Sequence, residues 1–342
     1  AKPAKRKPAE LAAELVQKLA DLPDIDHAEA AGPGFVNMTL KPYVLQGVAK
    51  AVLEAGEAFG RSSIGQGTRV NVEYVSANPT GPMHVGHCRG AVVGDALANL
   101  MQAAGYKVTR EYYINDAGTQ VVALTWATYW RYLQVIGTDI DADTFSPLTP
   151  NGLQYQGDYL IPVAKSIAEK HGRALANDDG SPADPSVWFD IIRAETLVQM
   201  MAAIREDLEG LGISHEVFAS EAETLASGRV DAAIAKLESK GLLYEGVLEP
   251  PKGKTPEDWE PRPQTLFRST DFGDDPDRAL RKSDGTDTYF ANDIGYHAQK
   301  AENSDVLIDV LGADHGGYVS RMRAAISALT DGKTGFEVVM CQ

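Results

Sequence analysis

His84 and His87 lie three positions apart at the end of a loop that begins near Ala77 and is rich in Gly and Pro. Residues three apart share one side of a helix, so a helix beginning near His84 would direct both imidazoles toward one ligand. A helix N-terminus also presents unpaired N–H groups and the positive end of the helix dipole, which bind phosphate. The imidazoles could then stabilise negative charge during attack at a phosphorus atom, without a covalent intermediate.

A metal site is the alternative for this histidine pair. Zinc sites on helices usually space their histidines by four and need a third ligand, which nothing nearby supplies. The glycines Gly81 and Gly86 instead favour close approach of a ligand to the backbone, while Asn78-Pro79 and Gly81-Pro82 restrict the loop. The loop therefore predicts a polyphosphate site.

Glu73 is a carboxylate within an apolar run that contains Val70, Val72 and Val75. Such a run in a parallel sheet is usually buried, and an unpaired buried carboxylate is costly. An ordinary surface carboxylate is the alternative reading for Glu73, and a bound cationic ligand would resolve the cost of burial.

The elements around these residues alternate between strand and helix. The sequence predicts strands at Arg69–Val75 and Lys107–Ile114 and helices at His84–Ala104 and Gly118–Val135, which is the start of a doubly wound parallel α/β sheet. Such sheets bind ligands at the carboxyl ends of their strands, where the histidine loop lies.

The chain on either side of this core divides into further segments. A helix at Pro8–Leu19 and a strand at Gly34–Leu40 indicate part of a small α+β unit, followed by a helix at Val44–Phe59 and a boundary near Gly65. Residues 137–185 are rich in Asp, Gly and Pro and are interpreted as an irregular insertion. Two helices are predicted beyond it, and then four sheet-like segments: Val187–Leu211 and Gly228–Lys240, then Leu266, Tyr289, Val306 and Val338.

Composition limits the class of protein. The 342 residues are 44% hydrophobic and 23% charged, which is typical of a folded chain. The net charge of −16 argues against a dedicated nucleic-acid binder. A local exception is the basic N-terminal run, although a solvated arm explains it equally well; it comprises Lys2, Lys5, Arg6 and Lys7.

The two cysteines, Cys88 and Cys341, are too far apart in the sequence and too few to predict a disulfide framework or a structural zinc site. No apolar run approaches the roughly 18 residues of a membrane span, and the N-terminus lacks a signal-peptide core. These features predict a cytoplasmic protein without a membrane partner.

His84-Val-Gly-His87 resembles the His-Ile-Gly-His signature of class I aminoacyl-tRNA synthetases and related nucleotidyltransferases. The longer runs 72–90 and 112–118 resemble arginyl-tRNA synthetases in particular, and further matches to that family lie at 281–286, 288–294 and 310–315. The resemblance covers about residues 65–342. Residues 1–60 resemble more loosely the latter part of the family's N-terminal appended domain, which is thought to contact the tRNA corner.

The resemblance implies ATP-dependent, Mg²⁺-assisted activation of L-arginine to arginyl-adenylate and its transfer to tRNA(Arg), by a monomer without zinc. It implies catalytic roles for His84 and His87. It places Glu73, Tyr289 and Asp293 at the arginine guanidinium and Asn78 at the α-amino group, and a guanidinium is well held by paired carboxylates. The implied ATP-binding residues are Pro79, Thr80, Gly81, Gly86, Gly312, Asp314 and His315.

Several of these residues keep a structural alternative. Asp314 is equally well explained as a helix cap, and Asn115, Asp116 and Gln120 are interpreted as residues that begin a helix. Tyr289 and Asp293, spaced by four, would share one face if a helix begins at Tyr289.

The resemblance also implies a division of the chain. Residues 1–64 form the remainder of the N-terminal domain and its linker, 65–136 and 263–342 the two halves of the catalytic domain, and 137–262 a connecting insertion. The Lys-Met-Ser-Lys-Ser-like loop that clamps pyrophosphate is not found before Gln342, and no anticodon-binding domain follows. We therefore expect a truncated chain that activates arginine poorly on its own.

Two other functions remain open from the sequence. A class I synthetase of the cysteine, glutamate or glutamine type would share the histidine loop but not the acidic residues. A non-catalytic synthetase-like protein would bind RNA or a partner through the same fold. Stabilisation by arginine but not by other amino acids would separate these readings.

Overall fold

A computed structural model describes residue 3 and residues 5–248, 262–313 and 316–341. The chain divides into two units, Ala1–Ser62 and Ser63–Gln342. Within the described ranges, none of the helices is both long and apolar enough to cross a membrane.

The first unit contains α1 (Pro8–Leu19), the antiparallel strands β1 (Ile25–Ala31) and β2 (Phe35–Leu40), and α2 (Pro42–Ala55). Both helices begin with a proline, whose fixed φ suits the first helical turn. The sequence predicted three of these elements but not β1. Ala, Asp and Glu dominate β1, and these residues have low strand propensity.

The second unit opens with the predicted strand-helix-strand-helix order. It consists of β3 (Arg69–Glu73), α3 (Val85–Ala103), β4 (Lys107–Ile114) and α4 (Thr119–Val135). A close backbone approach fixes α3 against the chain that follows β3, because a Cβ at Gly94 would lie 2.3 Å from the Tyr74 ring. Glycine is therefore required at this helix position.

The prediction of an irregular insertion at residues 137–185 was wrong. This segment contains α5 (Ala142–Phe145) and α6 (Leu160–His171), and it is followed by α7 (Pro185–Gly210). The apolar side chains of α6 recur at helical spacing and pack with α4 and α7 into a buried cluster; they are Leu160, Val163, Ala164 and Ile167. The abundance of Asp, Gly and Pro in the flanking turns hid this helix.

The chain then adds a strand that the sequence analysis missed, β5 (Val217–Ser220), followed by α8 (Glu221–Ala226) and α9 (Arg229–Ser239). A separate antiparallel sheet follows, made of β6 (Leu243–Gly246), β7 (Gln264–Phe267) and β8 (Arg278–Arg281). The predicted sheet-like segment at Leu266 is β7.

The last part of the chain consists of α10 (Tyr289–Glu302), β9 (Val306–Gly312), α11 (Tyr318–Thr330) and β10 (Gly335–Cys341). The predicted sheet segments at Val306 and Val338 are confirmed, but the one at Tyr289 was wrong. Thr288 caps a helix there, because its side chain accepts a hydrogen bond from the Ala291 N–H. Short 3₁₀ turns cover residues 56–58, 146–148 and 269–272.

The main sheet has five parallel strands in the order β10-β9-β3-β4-β5. The chain builds outward from β3 through β4 to β5, and it then returns to the other side of β3 as β9 and β10. The carboxyl ends of β3 and β9 thus flank the topological switch point, where doubly wound sheets bind ligands. The predicted α/β fold class is confirmed.

Candidate active site

The loop after β3 begins with an unusual backbone turn. Val75 and Ser76 have φ values of 71° and 40°, which non-glycine residues rarely adopt, least of all a β-branched one. The Ser76 hydroxyl holds the turn, since it donates to Glu73 Oε1 at 2.9 Å and accepts from the Tyr113 N–H at 3.0 Å. The turn therefore ties the loop to both β3 and β4.

The two histidines lie at the start of α3, with their rings stacked at a centroid distance of 3.7 Å. His84 Nδ1 accepts a hydrogen bond from the Gly86 N–H, and His87 Nδ1 accepts one from the His84 N–H. A Cβ at Gly86 would lie 3.0 Å from the His84 ring, so glycine leaves room for this fold-back. The imidazoles themselves thus cover part of the helix N-terminus.

The hydrogen bonds of the histidine rings define which nitrogen faces a ligand. Because Nδ1 accepts in each ring, the proton of the neutral imidazole resides on Nε2. Burial and the nearby charge of His84 lower the pKa of His87, which keeps its ring neutral at neutral pH. The site can therefore present two N–H donors to an anion.

The remaining loop residues are fixed by the neighbouring helices. The Asn78 side-chain amide donates to Gln120 Oε1 on α4 at 2.8 Å, and the Tyr159 hydroxyl donates to the Thr80 carbonyl at 2.6 Å. Pro79 is buried. A Cβ at Gly81 would lie 3.5 Å from the Tyr159 ring, an ordinary contact, so space alone does not require that glycine.

One face of α10 lines the switch point with polar side chains. Asp293, Tyr296, His297 and Lys300 recur at three- and four-residue spacing, so they form a single stripe on the helix. The Tyr296 hydroxyl lies 2.9 Å from Glu73 Oε2 and 2.8 Å from an oxygen of Glu111 on β4. The stripe is a polar wall built by a helix that elsewhere packs against the core.

Glu73 is buried, as the sequence predicted, but the cation that compensates it belongs to the chain itself. Lys300 Nζ lies 2.7 Å from Glu73 Oε2 and 2.8 Å from Asp309 Oδ1 on β9. Lys300 therefore offsets the cost of burying Glu73 before any cationic ligand binds. An internal ion pair of this kind cannot be read from a sequence, because its partners are 227 positions apart.

The pKa of the Asp293 carboxylate is strongly raised. Burial raises its pKa to about 7, with the charges of Glu73 and Glu221 also raising it and those of His297 and Arg321 opposing. No side chain among residues 5–248, 262–313 and 316–341 donates a hydrogen bond to this carboxylate. Glu73 and Asp293 thus face one region, and Asp293 is available to a cation.

The sequence analysis missed Glu221, the first residue of α8. Its Oε2 atom is buried without a hydrogen-bond partner in the described part of the chain, and burial raises its pKa. A hydrogen bond with Tyr113 opposes that shift. The signal was the Ser220-Glu221 pair at the end of β5, which could not be interpreted because the strand itself was not predicted.

The other predicted site residues are exposed, engaged in structural hydrogen bonds or outside the described residues. Tyr289 begins α10, which meets the condition for sharing a helix face with Asp293, yet the residue is 73% exposed. Gly312 ends β9 and is exposed. Asp314 and His315 lie outside the described residues. Asp116 accepts from the Ser220 hydroxyl at 2.7 Å and the Ala222 N–H at 2.8 Å, which supports its interpretation as a structural residue.

A metal ion is the other ligand that this cluster could suggest. The ligand atoms of Glu73, His297 and Asp309 lie within 4.8 Å of one another. However, the Lys300 ammonium lies between the two carboxylates and His297 Nε2 is 2.8 Å from Asp309 Oδ2. The carboxylates are therefore already engaged by internal cationic and N–H groups.

The fold and the histidine loop are those of a class I aminoacyl-tRNA synthetase catalytic domain. Residues 48–134 match the family described as "tRNA synthetases class I (R), catalytic domain", and residues 1–40 match "Arginyl tRNA synthetase N terminal domain". The fold is also similar to the structure of Thermus thermophilus arginyl-tRNA synthetase, with a TM-score of 0.64 and 18% identity over 99% of this chain and 58% of that one.

Two curated relatives extend this similarity over the whole chain. The arginine–tRNA ligase of Gluconobacter oxydans (strain 621H) is 86% identical over 342 residues, which are 100% of this chain and 57% of that protein. The arginine–tRNA ligase of Cereibacter sphaeroides (strain ATCC 17025) is 54% identical over 343 residues, again 57% of its length. Over its whole length the chain is therefore similar to arginine–tRNA ligases, of whose length it spans 57%.

Proposed function

We propose that the chain contributes the amino-acid and ATP sites of an enzyme that activates L-arginine and transfers it to tRNA(Arg). The observation that carries the proposal is that buried acidic side chains and two histidine N–H donors both lie at the carboxyl edge of the parallel sheet, by its switch point. The high identity to arginine–tRNA ligases supports the same function, although the chain spans only 57% of their length.

The arginine side chain is held by the acidic residues around α10. Asp293 and Glu73 accept hydrogen bonds from the guanidinium, and Glu221 provides a further oxygen from α8. Asn78, oriented by Gln120, binds the α-amino group. Tyr289, at the exposed start of α10, closes over the guanidinium when the ligand binds.

ATP binds across the histidine loop. The Nε2–H groups of His84 and His87 donate to phosphate oxygens, and the loop residues shape the pocket together with the end of β9; these are Pro79, Thr80, Gly81, Gly86 and Gly312. Asp314 and His315 lie outside the described residues, and their part in ATP binding rests on the family resemblance alone. Mg²⁺ bound to the ATP phosphates would neutralise part of the triphosphate charge.

The reaction is an in-line displacement. A carboxylate oxygen of arginine attacks the α-phosphorus, the bond from that phosphorus to the bridging oxygen breaks, and pyrophosphate leaves with the electron pair. Charge grows on the phosphate oxygens during this step, and the two imidazole donors stabilise it without accepting a proton. The terminal ribose of tRNA(Arg) then attacks the arginyl carbonyl, releasing AMP.

With this function, the chain divides into domains as the family resemblance implies. Residues 1–64 form part of the N-terminal domain that contacts tRNA, 65–136 and 263–342 the halves of the catalytic domain, and 137–262 the insertion between them. The protein acts as a cytoplasmic monomer.

Ligand-dependent thermal unfolding tests the proposal. L-arginine with a non-hydrolysable ATP analogue and Mg²⁺ should raise the unfolding temperature, whereas lysine, glutamate and cysteine should not. At a free ligand concentration of about 100 times Kd, binding raises the free energy of unfolding by about 2.7 kcal/mol. If arginine has no effect while ATP binds, the chain is a synthetase-like protein without this amino-acid site.

A further inference from the structure

Lys300 lies between the carboxylates of Glu73 and Asp309, and its side chain is only 1% exposed. Burial lowers its pKa, but the charges of Asp309 and Glu73 outweigh burial and raise that pKa above the ordinary value. The ammonium group is therefore a fixed positive charge directly beneath the proposed arginine pocket.

The acceptor positions on the two carboxylates beneath the pocket are largely taken. Glu73 already accepts from Ser76 and Lys300 and contacts the Tyr296 hydroxyl, and a carboxylate has about four acceptor positions. Asp309 is engaged by Lys300 on one oxygen and by His297 on the other. The internal ammonium thus occupies the place where a ligand ammonium would bind most strongly.

Apart from one acceptor position on Glu73, the carboxylate oxygens available to a ligand are spread over two helices. Asp293 on α10 has no side-chain donor among the described residues, and the buried Oε2 of Glu221 on α8 has no partner. A planar guanidinium has five N–H donors and can reach separate acceptors in different directions. A compact ammonium needs acceptors that converge on one point. Lys300 Nζ already occupies the point where Glu73 and Asp309 converge.

We propose that Lys300 is a specificity-determining residue, which excludes ligands with an ammonium side chain, such as lysine, from the arginine pocket. The inference rests on the proposed function and adds to it the element that rejects the competing amino acid. Selectivity of this kind needs a repulsive feature as well as attractive contacts. The Lys300 charge repels a concentrated ammonium charge more than a delocalised guanidinium.

The test compares arginine and lysine binding in the double variant K300M/D309N. Removing Lys300 alone leaves two buried carboxylates without their cation, which destabilises the fold. Removing one acid together with the base keeps the summed charge of Glu73, Asp309 and Lys300 at its original value. We expect the ratio of the lysine Kd to the arginine Kd, measured by calorimetry, to fall about tenfold or more.

Two controls separate specificity from stability. D309N retains the ammonium, and K170M removes a lysine that pairs with Glu195 on the surface; both should keep the wild-type ratio within about threefold. A purely structural Lys300 would weaken both ligands equally in K300M/D309N. An unchanged ratio in that variant overturns the proposal.

A second measurement needs no variant. The unaltered chain should bind lysine no more tightly than norleucine, its uncharged analogue, because an ammonium gains nothing in this pocket. Lysine binding at least about tenfold tighter than norleucine binding overturns the proposal, even when the variants do not fold. Failure to bind arginine itself contradicts the proposed function instead, so the two failures are distinguishable.

Discussion

The two carboxylates proposed to bind the guanidinium differ in their hydrogen-bond partners and in their pKa. Glu73 is held in place by donors from three directions, so its orientation is set before any ligand arrives. Asp293 has no such donors among the residues that the structure describes, and its pKa is raised to about 7. Glu73 therefore offers the guanidinium an acceptor of fixed orientation. Asp293 offers a carboxylate whose ionisation changes near neutral pH and is favoured by a cationic ligand.

Asp293→Asn should abolish arginine binding and stabilise the ligand-free protein at pH 8. The folded-state pKa lies above the unfolded value of about 3.8, so the folded state loses stability as pH rises from that value to about 7. The neutral amide escapes this loss, with a gain on the order of 2 kcal/mol at pH 8. Urea unfolding at pH 8 and pH 5 measures it.

The pH 5 measurement is the internal control, because Asp293 is already protonated in the folded protein at that pH and the substitution should matter much less. Arginine affinity of the unaltered chain should rise with pH through about 7, since the cationic ligand requires the ionised carboxylate. A gain in stability that is equal at both pH values would contradict the assignment of the raised pKa to Asp293.

At the scale of elements, the contact between α3 and the chain after β3 positions the histidine loop. A Cβ at Gly94 would lie 2.3 Å from the Tyr74 ring, while one at Gly90 on the same helix meets nothing within 4 Å. The two glycines therefore form a matched pair for testing this packing.

Gly94→Ala should destabilise the protein by about 1–3 kcal/mol, because the added methyl group pushes α3 away from Tyr74. Gly90→Ala should be neutral or stabilising by up to about 1 kcal/mol, since alanine is the better helix former in an open position. Chemical denaturation of both variants measures the difference. Equal effects of the two substitutions would show that α3 does not depend on the close approach.

The sequence predicted those elements whose periodicity is local. The strands and helices from Arg69 to Val135 follow directly from alternating apolar residues and from the histidine loop. β5 was missed because four residues give too short a pattern, and α6 was hidden by its turn-rich neighbours. Tyr289 was placed in a sheet-like segment although the Thr288 cap marks a helix start.

The candidate site was predictable as a set of residue types but not as a network. Glu73, Asp293 and the histidines follow from their context and from family resemblance. Lys300 carries no local signal, and the signal of Glu221 could not be interpreted without β5, since the importance of both residues arises from where α10 and α8 meet the sheet. Burial and pairing between distant segments are properties of the folded chain alone.

At the scale of the whole molecule, the proposed arginine-binding residues all belong to the unit Ser63–Gln342. A chain that starts at Ser63 should therefore bind arginine with a Kd within about threefold of the longer chain. Calorimetry of the two chains, with lysine as the ligand control, measures this. A larger loss of affinity in a shortened chain that remains folded would assign the first unit a part in the amino-acid site.

The pairing of Glu73 with Lys300 spans 227 positions. While a ribosome is still producing the segment before α10, β3 has been made but its carboxylate has no ammonium to neutralise it, which disfavours premature docking of this strand in a dry interior. The proposed arginine site can therefore form only after synthesis has passed Lys300, so arginine binding would distinguish a folded sheet from a partly built one.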